Sequence, residues 1–402
     1  MEEAYIFDAI RTPIGNFGGS LSTIRTDDLA AHVISELINR NPSVNWTEVE
    51  DVLFGCANQA GEDNRNVARM ALLLAGLPFN VGGETINRLC SSGMAATINA
   101  SRAIKIGDGD LYITGGVENM TRGPWVISKA SSPFGRDSQM YDSSFGWRFV
   151  NKKMYEKFGT DGMGQTAENL VELYKISRED QDQFAYHSQM KATKAQKSGR
   201  LSEEIIAVEI PQRKADTIIF DKDEFIKGGT TIEKLNKLRA AFKKEGGTVT
   251  AGNSSGLNDG AAALLIGSEN AAIRNGLTPK ARIVSSAIAG VEPRIMGIGP
   301  VKASEKALKR AHLTMKDMDI IELNEAFSAQ ALACIREMGL EDNDTRINPN
   351  GGAIAIGHPL GMTGARILQT AMIELHKTNK KYALVTMCIG VGQGYATVIE
   401  KV

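Results

Sequence analysis

Short apolar runs of strand length alternate with segments of helical spacing along most of this 402-residue chain. Residues 4–9, 52–55, 111–114 and 281–289, and the run from 382 to Cys388, read as strands. Residues 26–39, 64–75 and those following Cys90 carry apolar side chains at helical spacing. Such alternation predicts the α/β class, with a mainly parallel sheet covered by helices on both faces. A chain of 402 residues exceeds one ordinary core and predicts two or three domains. Residues 121–250 differ in character, holding most of the tryptophans, many charges and little strand alternation. They read as an inserted α-rich lobe, in which Ser177-Arg-Glu-Asp180 resembles a capping box and Gly199 a helix stop. The segment at 318–330, a strand delivering Asn324 into a helix, echoes the acidic turn and strand at 49–58. That echo hints at a duplicated half.

A net charge of −1 gives no electrostatic case for nucleic acid or an anionic membrane surface. No apolar run approaches the ~20 residues a membrane span needs. The acidic start, Met-Glu-Glu, argues against a leader peptide, and the last residues are not a peroxisomal address. The four cysteines, Cys56, Cys90, Cys334 and Cys388, form no C-x-x-C pair, so no metal site is expected. A sparse set of this kind suits reduced thiols in a cytoplasm.

Three stretches carry chemistry. Asn348 to Arg366 holds five glycines, two prolines and His358. Glycines permit tight turns and close approach to a ligand, so His358 sits in a loop suited to a small substrate. The segment after Cys90 is a helix of small residues. A thiol at a helix N-terminus meets free N–H groups and is expected to have a lowered pKa, as a nucleophile needs. Cys388 ends a strand beside three glycines, of which Gly390 offers an unobstructed N–H. A thiol nucleophile, a histidine base and a second acid/base follow from these three, with Asn324 able to orient a water or an oxyanion. The spacing at 352–357 is not a phosphate-binding loop, because His358 stands where lysine is required. Gly390 to Gly394 lacks the context of a dinucleotide site. His32, His187, His312 and His376 lie outside such loops.

These residues resemble the thiolases (acetyl-CoA C-acyltransferases) over the whole chain. The matching motifs are Asn87-Arg-Leu-Cys-Ser-Ser-Gly-Met, Gly115-Gly-Val-Glu-Asn-Met, Ala251-Gly-Asn-Ser-Ser-Gly-Leu-Asn-Asp-Gly, Asn324-Glu-Ala-Phe, Asn350-Gly-Gly-Ala-Ile-Ala-Ile-Gly-His-Pro and Met387-Cys-Ile-Gly-Val-Gly-Gln-Gly. The resemblance implies a duplicated βαβαβαββ core in five layers, αβαβα. Residues 1–120 with 251–272 would form one half and 273–402 the other, and the lobe at 121–250 would cover the CoA site. It implies that Cys90 takes the acyl group as a thioester and that His358 activates it. His358 and a water on Asn324 would form one oxyanion hole, and the N–H groups of Cys90 and Gly390 the other. Cys388 would be the acid/base. Ser255, Met163, Lys227 and Phe327 would contact CoA. CoA would be a substrate, no cofactor or metal is implied, and the chain would be a homodimer or homotetramer.

Within that family, residues 56–70, 145–151 and 290–300 resemble the 3-oxoadipyl-CoA enzymes, and Gly162 before Met163 also favours a degradative type. The segments at 225–231 and 237–246 resemble the acetoacetyl-CoA type, the alternative. Lys227 there replaces an arginine, giving a point charge without a stacking fork. A dicarboxylic substrate needs a cation for its far end. Arg148 is the candidate, against the alternative of an ordinary surface arginine. A decarboxylating ketoacyl synthase is disfavoured by Cys388. A non-catalytic CoA- or lipid-binding scaffold is disfavoured by the presence of Cys90, His358 and Cys388 together.

Overall fold

The computed structural model describes residues 2–402. Nine strands dominate it: β1 (Tyr5–Arg11), β2 (Asp51–Gly55), β3 (Gly82–Ile86), β4 (Leu111–Asn119), β5 (Asn258–Gly267), β6 (Ala281–Gly290), β7 (Ile320–Leu323), β8 (Tyr382–Ile389) and β9 (Gln393–Lys401). With the two-residue strand Gly15–Asn16 on β5, they form one sheet in the order β7-β8-β9-β6-β1-β5-β4-β2-β3. β1 and β6 meet through only Tyr5–Arg282 and Ile6–Ala281, so two half-sheets are joined at a narrow seam.

Each half has the same order. Counted in chain order within its half, the first reads 3-2-4-5-1. The second matches it once Ile347, bridged in parallel to Ile321, is taken as the remnant of its third strand. The duplication is therefore real in topology. The sheet is mixed rather than mainly parallel: only β2–β3, β2–β4 and β7–β8 run parallel. The last strand of each half, β5 or β9, returns antiparallel to both neighbours.

Eight helices matter to the site: α1 (Thr26–Arg40), α2 (Val67–Leu74), α3 (Ser92–Ile106), α4 (Met163–Tyr174), α5 (Arg178–Lys197), α6 (Gly299–Ala311), α7 (Ser328–Glu337) and α8 (Leu360–Lys377). α3 and α8 lie side by side between the half-sheets, α8 touching β4 and β5 on one side and β7 and β8 on the other. α1 and α2 cover the first half and α6 the second. This is the five-layered αβαβα arrangement.

Glycine sets the spacing of the central layer. A Cβ on Gly93 of α3 would lie 2.6 Å from the Gly361 carbonyl of α8, and one on Gly364 would lie 2.4 Å from the Met94 nitrogen. β4 runs on through Gly115-Gly116 to Asn119 rather than stopping at Thr114. The glycines are not a terminator: a Cβ on Gly116 would sit 2.0 Å from the Gly361 oxygen. β3 has no counterpart in the sequence reading, because Gly82-Gly83 looks like a turn; there the strand backbone lies against Arg69.

Residues 121–250 form two hairpins, Trp125–Ile127 with Met140–Asp142 and Val208–Ile210 with Ile218–Phe220, and the helices α4 and α5. Ser177 caps α5, its hydroxyl accepting from Asp180 N at 3.0 Å. Arg11 of β1 is fully buried and pins the lobe through Glu204 at 2.9 Å and Asp223 at 2.7 Å. Among the described residues, no helix is long and apolar enough to cross a membrane.

Candidate active site

Cys90 lies in a single turn of 3-10 helix, Leu89–Ser91, that leads into α3. Leu89 before it has φ +47°, a left-handed conformation that branched and bulky residues avoid and that the surrounding structure must enforce. Ser92 stabilises this elbow by accepting from Arg88 N at 2.8 Å and donating to Leu89 O at 2.7 Å. The thiol is 8% exposed. Burial pushes it up to about 11, although the N–H groups of Gly390 and of Cys90 itself point at the sulfur and favour the thiolate. The expected lowering does not occur, because loss of hydration outweighs the N–H groups around the sulfur. A resting thiol must lose its proton to a base during attack.

His358 is prepared as a candidate for that base. His358 is buried, and its Nδ1 lies 2.7 Å from Thr363 Oγ1. The Thr363 hydroxyl already donates to Pro359 O at 2.7 Å, so it accepts from Nδ1–H. Nε2 therefore carries the lone pair, 3.4 Å from Asn324 Nδ2. Burial, with the Arg366 guanidinium, pushes His358 down to about 3, which keeps the imidazole neutral at physiological pH. Asn258 fixes the loop from the other side, accepting from His358 N at 3.0 Å and donating to Gly15 O at 3.0 Å.

Cys388 stands one residue before the end of β8 and is wholly buried among Ala326, Phe327 and Met296. Burial raises its thiol well above the ordinary range, and the neighbouring Cys90 adds to that. Val391, just past Gly390, has φ +62°, so left-handed residues flank the site on both sides.

Two chambers meet at Cys90. One, of about 280 Å³, is lined by His358, Ser255, Phe327, Phe242 and Met163. The other, of about 240 Å³, is lined by Asn58, Glu118, Phe145, Trp147, Arg148 and Gly390. Phe145, Met163 and Leu360 border both. Of the sequence-derived residues, Cys90, His358, Ser255, Met163, Phe327, Gly390 and Arg148 thus face one continuous space. Asn324 reaches it through His358, and Cys388, packed with Phe327, Ala326 and Met296, neighbours the Cys90 thiol. Lys227 does not border it. It lies over the Phe225 ring at 4.9 Å, in a separate cleft of about 390 Å³ with Lys234, Leu238 and Gly252.

The structure adds three residues that the sequence reading left without a role. Thr363 fixes the tautomer of His358, Asn258 holds its backbone, and Glu118 receives three backbone N–H groups beside the second chamber. A buried acid inside the apolar strand Leu111–Asn119 was the available signal for Glu118. Asn258 stood inside the matched motif at 251–260 without a role, and Thr363 gave no signal.

The thiolase N-terminal domain model matches residues 4–270 and the thiolase C-terminal domain model residues 277–401. The 3-oxoadipyl-CoA/3-oxo-5,6-dehydrosuberyl-CoA thiolase of Escherichia coli K12 is 59% identical over 402 residues, covering all of both chains. The 3-ketoacyl-CoA thiolase of Aeromonas hydrophila is 46% identical over 404 residues, again covering all of both. The crystal structure of the Bacillus anthracis acetyl-CoA acetyltransferase superposes with a TM-score of 0.91 at 40% identity, over 100% of this chain and 99% of that one.

Proposed function

Because the chain belongs to the thiolase family and is an acyltransferase of it, we propose that its substrate is a 3-oxoacyl-CoA ending in a carboxylate, of the 3-oxoadipyl-CoA kind. The observation that carries this is Arg148. Its guanidinium borders the same chamber as Cys90 and is half-buried. Its two hydrogen bonds go to neutral oxygens, Ser143 O at 3.3 Å and Asn58 Oδ1 at 3.4 Å. Among the described residues no carboxylate pairs with it. A cation held in place beside the nucleophile, without a counter-charge, suits an anionic acyl end. The names of the relatives support the same substrate.

The steps follow from the residues. Cys90 attacks the 3-oxo carbonyl while His358 Nε2 takes the thiol proton. The developing oxyanion lies against one set of donors and the thioester enolate against the other. Asn324 with His358 would form one set, the Cys90 and Gly390 N–H groups the other. The C2–C3 bond breaks, Cys388 protonates the departing carbon, and acetyl-CoA leaves. The succinyl group remains on Cys90. CoA then enters past Ser255, Met163 and Phe327, with Lys227 beside its nucleotide end. It gives its thiol proton to the Cys388 thiolate and attacks the thioester. Cys90 departs and recovers its proton from His358. CoA is a substrate, and no resident cofactor takes part.

The enzyme would work in the cytoplasm as a homodimer or homotetramer. The uncovered apolar hairpin with Trp125, Ile127 and Met140 supports association, which the solution mass tests. The substrate test compares CoA-dependent thiolysis of 3-oxoadipyl-CoA, a medium-chain 3-oxoacyl-CoA and acetoacetyl-CoA by wild type and Cys90→Ala. Strong preference for the dicarboxylate and an inactive variant are expected. Preference for acetoacetyl-CoA would move the enzyme to short-chain metabolism.

A further inference from the structure

Glu118 is 1% exposed, and no cation pairs with it among the described residues. Its two carboxylate oxygens are spent on backbone. Oε2 accepts from Ala57 N at 2.9 Å and from Gly361 N at 2.8 Å, and Oε1 accepts from Asn58 N at 3.0 Å. These three amides belong to different parts of the site. Ala57 and Asn58 follow β2 and form a wall of the Arg148 chamber, where Asn58 also supports Arg148. Ala57 O in turn accepts from Asn87, whose Oδ1 receives Leu89 N at 2.9 Å, next to Cys90. Gly361 lies three residues after His358, in the first turn of α8. The N-cap of that 18-residue helix is Pro359, whose ring offers no acceptor to cap it. A carboxylate from β4 supplies the missing cap, in the place where a negative charge is most favoured.

We infer that Glu118 is a positioning residue for the thiolysis reaction: one carboxylate clamps the Cys90 turn, the Arg148 wall and the His358 loop into a single register. A histidine loop released by a fraction of an ångström would shift Nε2 relative to the Cys90 sulfur that borders the same chamber. The inference rests on the roles given above to Cys90 and His358. Cys56 Sγ and a carboxylate oxygen each of Asp63 and Glu118 lie close enough together to suggest a metal site. The backbone donors already occupy the Glu118 oxygens, so they form a clamp instead.

The clamp needs the ionised acid, since a protonated carboxyl would turn an O–H toward an N–H. Burial pushes Glu118 up to about 7. Asp63 and the Cys56 thiol face it from the 56–63 loop and Cys90 from the start of α3, while Arg148 of the lobe borders the same chamber without pairing with it. His358 at about 3 and Cys90 at about 11 do not titrate near neutrality. As pH falls through about 7, kcat should therefore fall with Glu118 protonation.

The test uses acetoacetyl-CoA thiolysis, so that Arg148 has no carboxylate to bind. Glu118→Gln keeps the shape but replaces one acceptor by an NH2 group that opposes an amide donor. Its kcat should fall about 10²-fold, as expected for a small misplacement of reacting groups. KM for CoA should stay within about twofold, and the acid limb of the pH profile should disappear. Wild-type kcat in Glu118→Gln, or an acid limb that survives the substitution, would overturn the clamp. If the variant does not fold, a wild-type kcat that stays flat down to pH ~5.5 overturns it by itself. His358→Gln separates the two levels. If that variant keeps wild-type activity, the reading of the active site fails. If it is inactive while Glu118→Gln is normal, only the clamp fails.

Discussion

Replacing Arg148 by methionine removes the charge but keeps most of the stem. The guanidinium is half-buried and held by two long hydrogen bonds, at 3.3 and 3.4 Å, so little of the fold depends on it. A charge-assisted hydrogen bond to a substrate carboxylate contributes about 1.5–3 kcal/mol, which is roughly 10- to 150-fold in rate at 1.4 kcal/mol per tenfold. The upper end applies when the chamber is closed and dry, the lower when water reaches the pair. The assay is kcat/KM for 3-oxoadipyl-CoA and for acetoacetyl-CoA, measured side by side. Arg148→Met should lose that factor with the dicarboxylate and change by less than about twofold with acetoacetyl-CoA. Arg148→Lys should recover part of it, because lysine restores the charge without the planar fork. Equal losses on both substrates would make Arg148 a structural residue, and no loss on either would remove it from the site.

Four further outcomes follow from the geometry. Thr363→Val removes the acceptor for His358 Nδ1–H, at a cost of about 1–1.5 kcal/mol and so about tenfold in kcat, with KM little changed; steady-state kinetics decide it. Alkylation of Cys90 by iodoacetamide should accelerate steadily from pH 7 to pH 10, since the thiol is pushed up to about 11, and a plateau near neutrality would contradict that burial. Gly116→Ala places a methyl against the Gly361 carbonyl, 2.0 Å away, and should cost at least about 3 kcal/mol in a denaturation experiment. Asp8 is desolvated, yet Arg40 and Lys280 hold it down to about 2, so its contribution is full above about pH 4 and is lost as pH falls through about 2. Asp8→Asn should accordingly destabilise the fold by about 2 kcal/mol at pH 7, and the difference from wild type should vanish near pH 2.

The candidate site was legible in the sequence where a reactive side chain sits among small residues. Cys90, His358, Cys388 and Gly390 stand out because few reasons exist for a thiol or an imidazole in such company. What holds them was less legible. Glu118 and Asn258 stand inside the matched motifs, but they act on backbone atoms far away in sequence, and Thr363 shows its role only once the helix turns it back onto His358 Nδ1. Periodicity found β1, α1, β6 and the helix after Cys90, because each buries one face or runs wholly through the core. It failed where glycine serves packing rather than turning, at β3 and along β4 beyond Thr114. It also suggested a mainly parallel sheet: β5 returns antiparallel only after the long lobe, which leaves no local trace, and the glycines of the tight β8–β9 turn read as site residues rather than as a hairpin. The sign of the Cys90 pKa was misjudged for a similar reason: a helix start is visible in sequence, but the depth at which it is buried is not.

The glycine contacts between α3, α8 and β4 leave the reacting groups mounted on backbone pressed against backbone, with no side-chain rotamers in between to relax. Phe145, Trp147, Arg148 and Met163, which shape the second chamber, come instead from the lobe. On the proposed reading, choice of substrate and execution of the reaction thus sit on separate parts of the molecule. An engineer could graft the six residues from Ser143 to Arg148 from another relative and retarget the enzyme, leaving its chemical step as it was. Natural drift has the same freedom, so closely related copies of this chain can diverge in diet long before they lose the ability to break the bond.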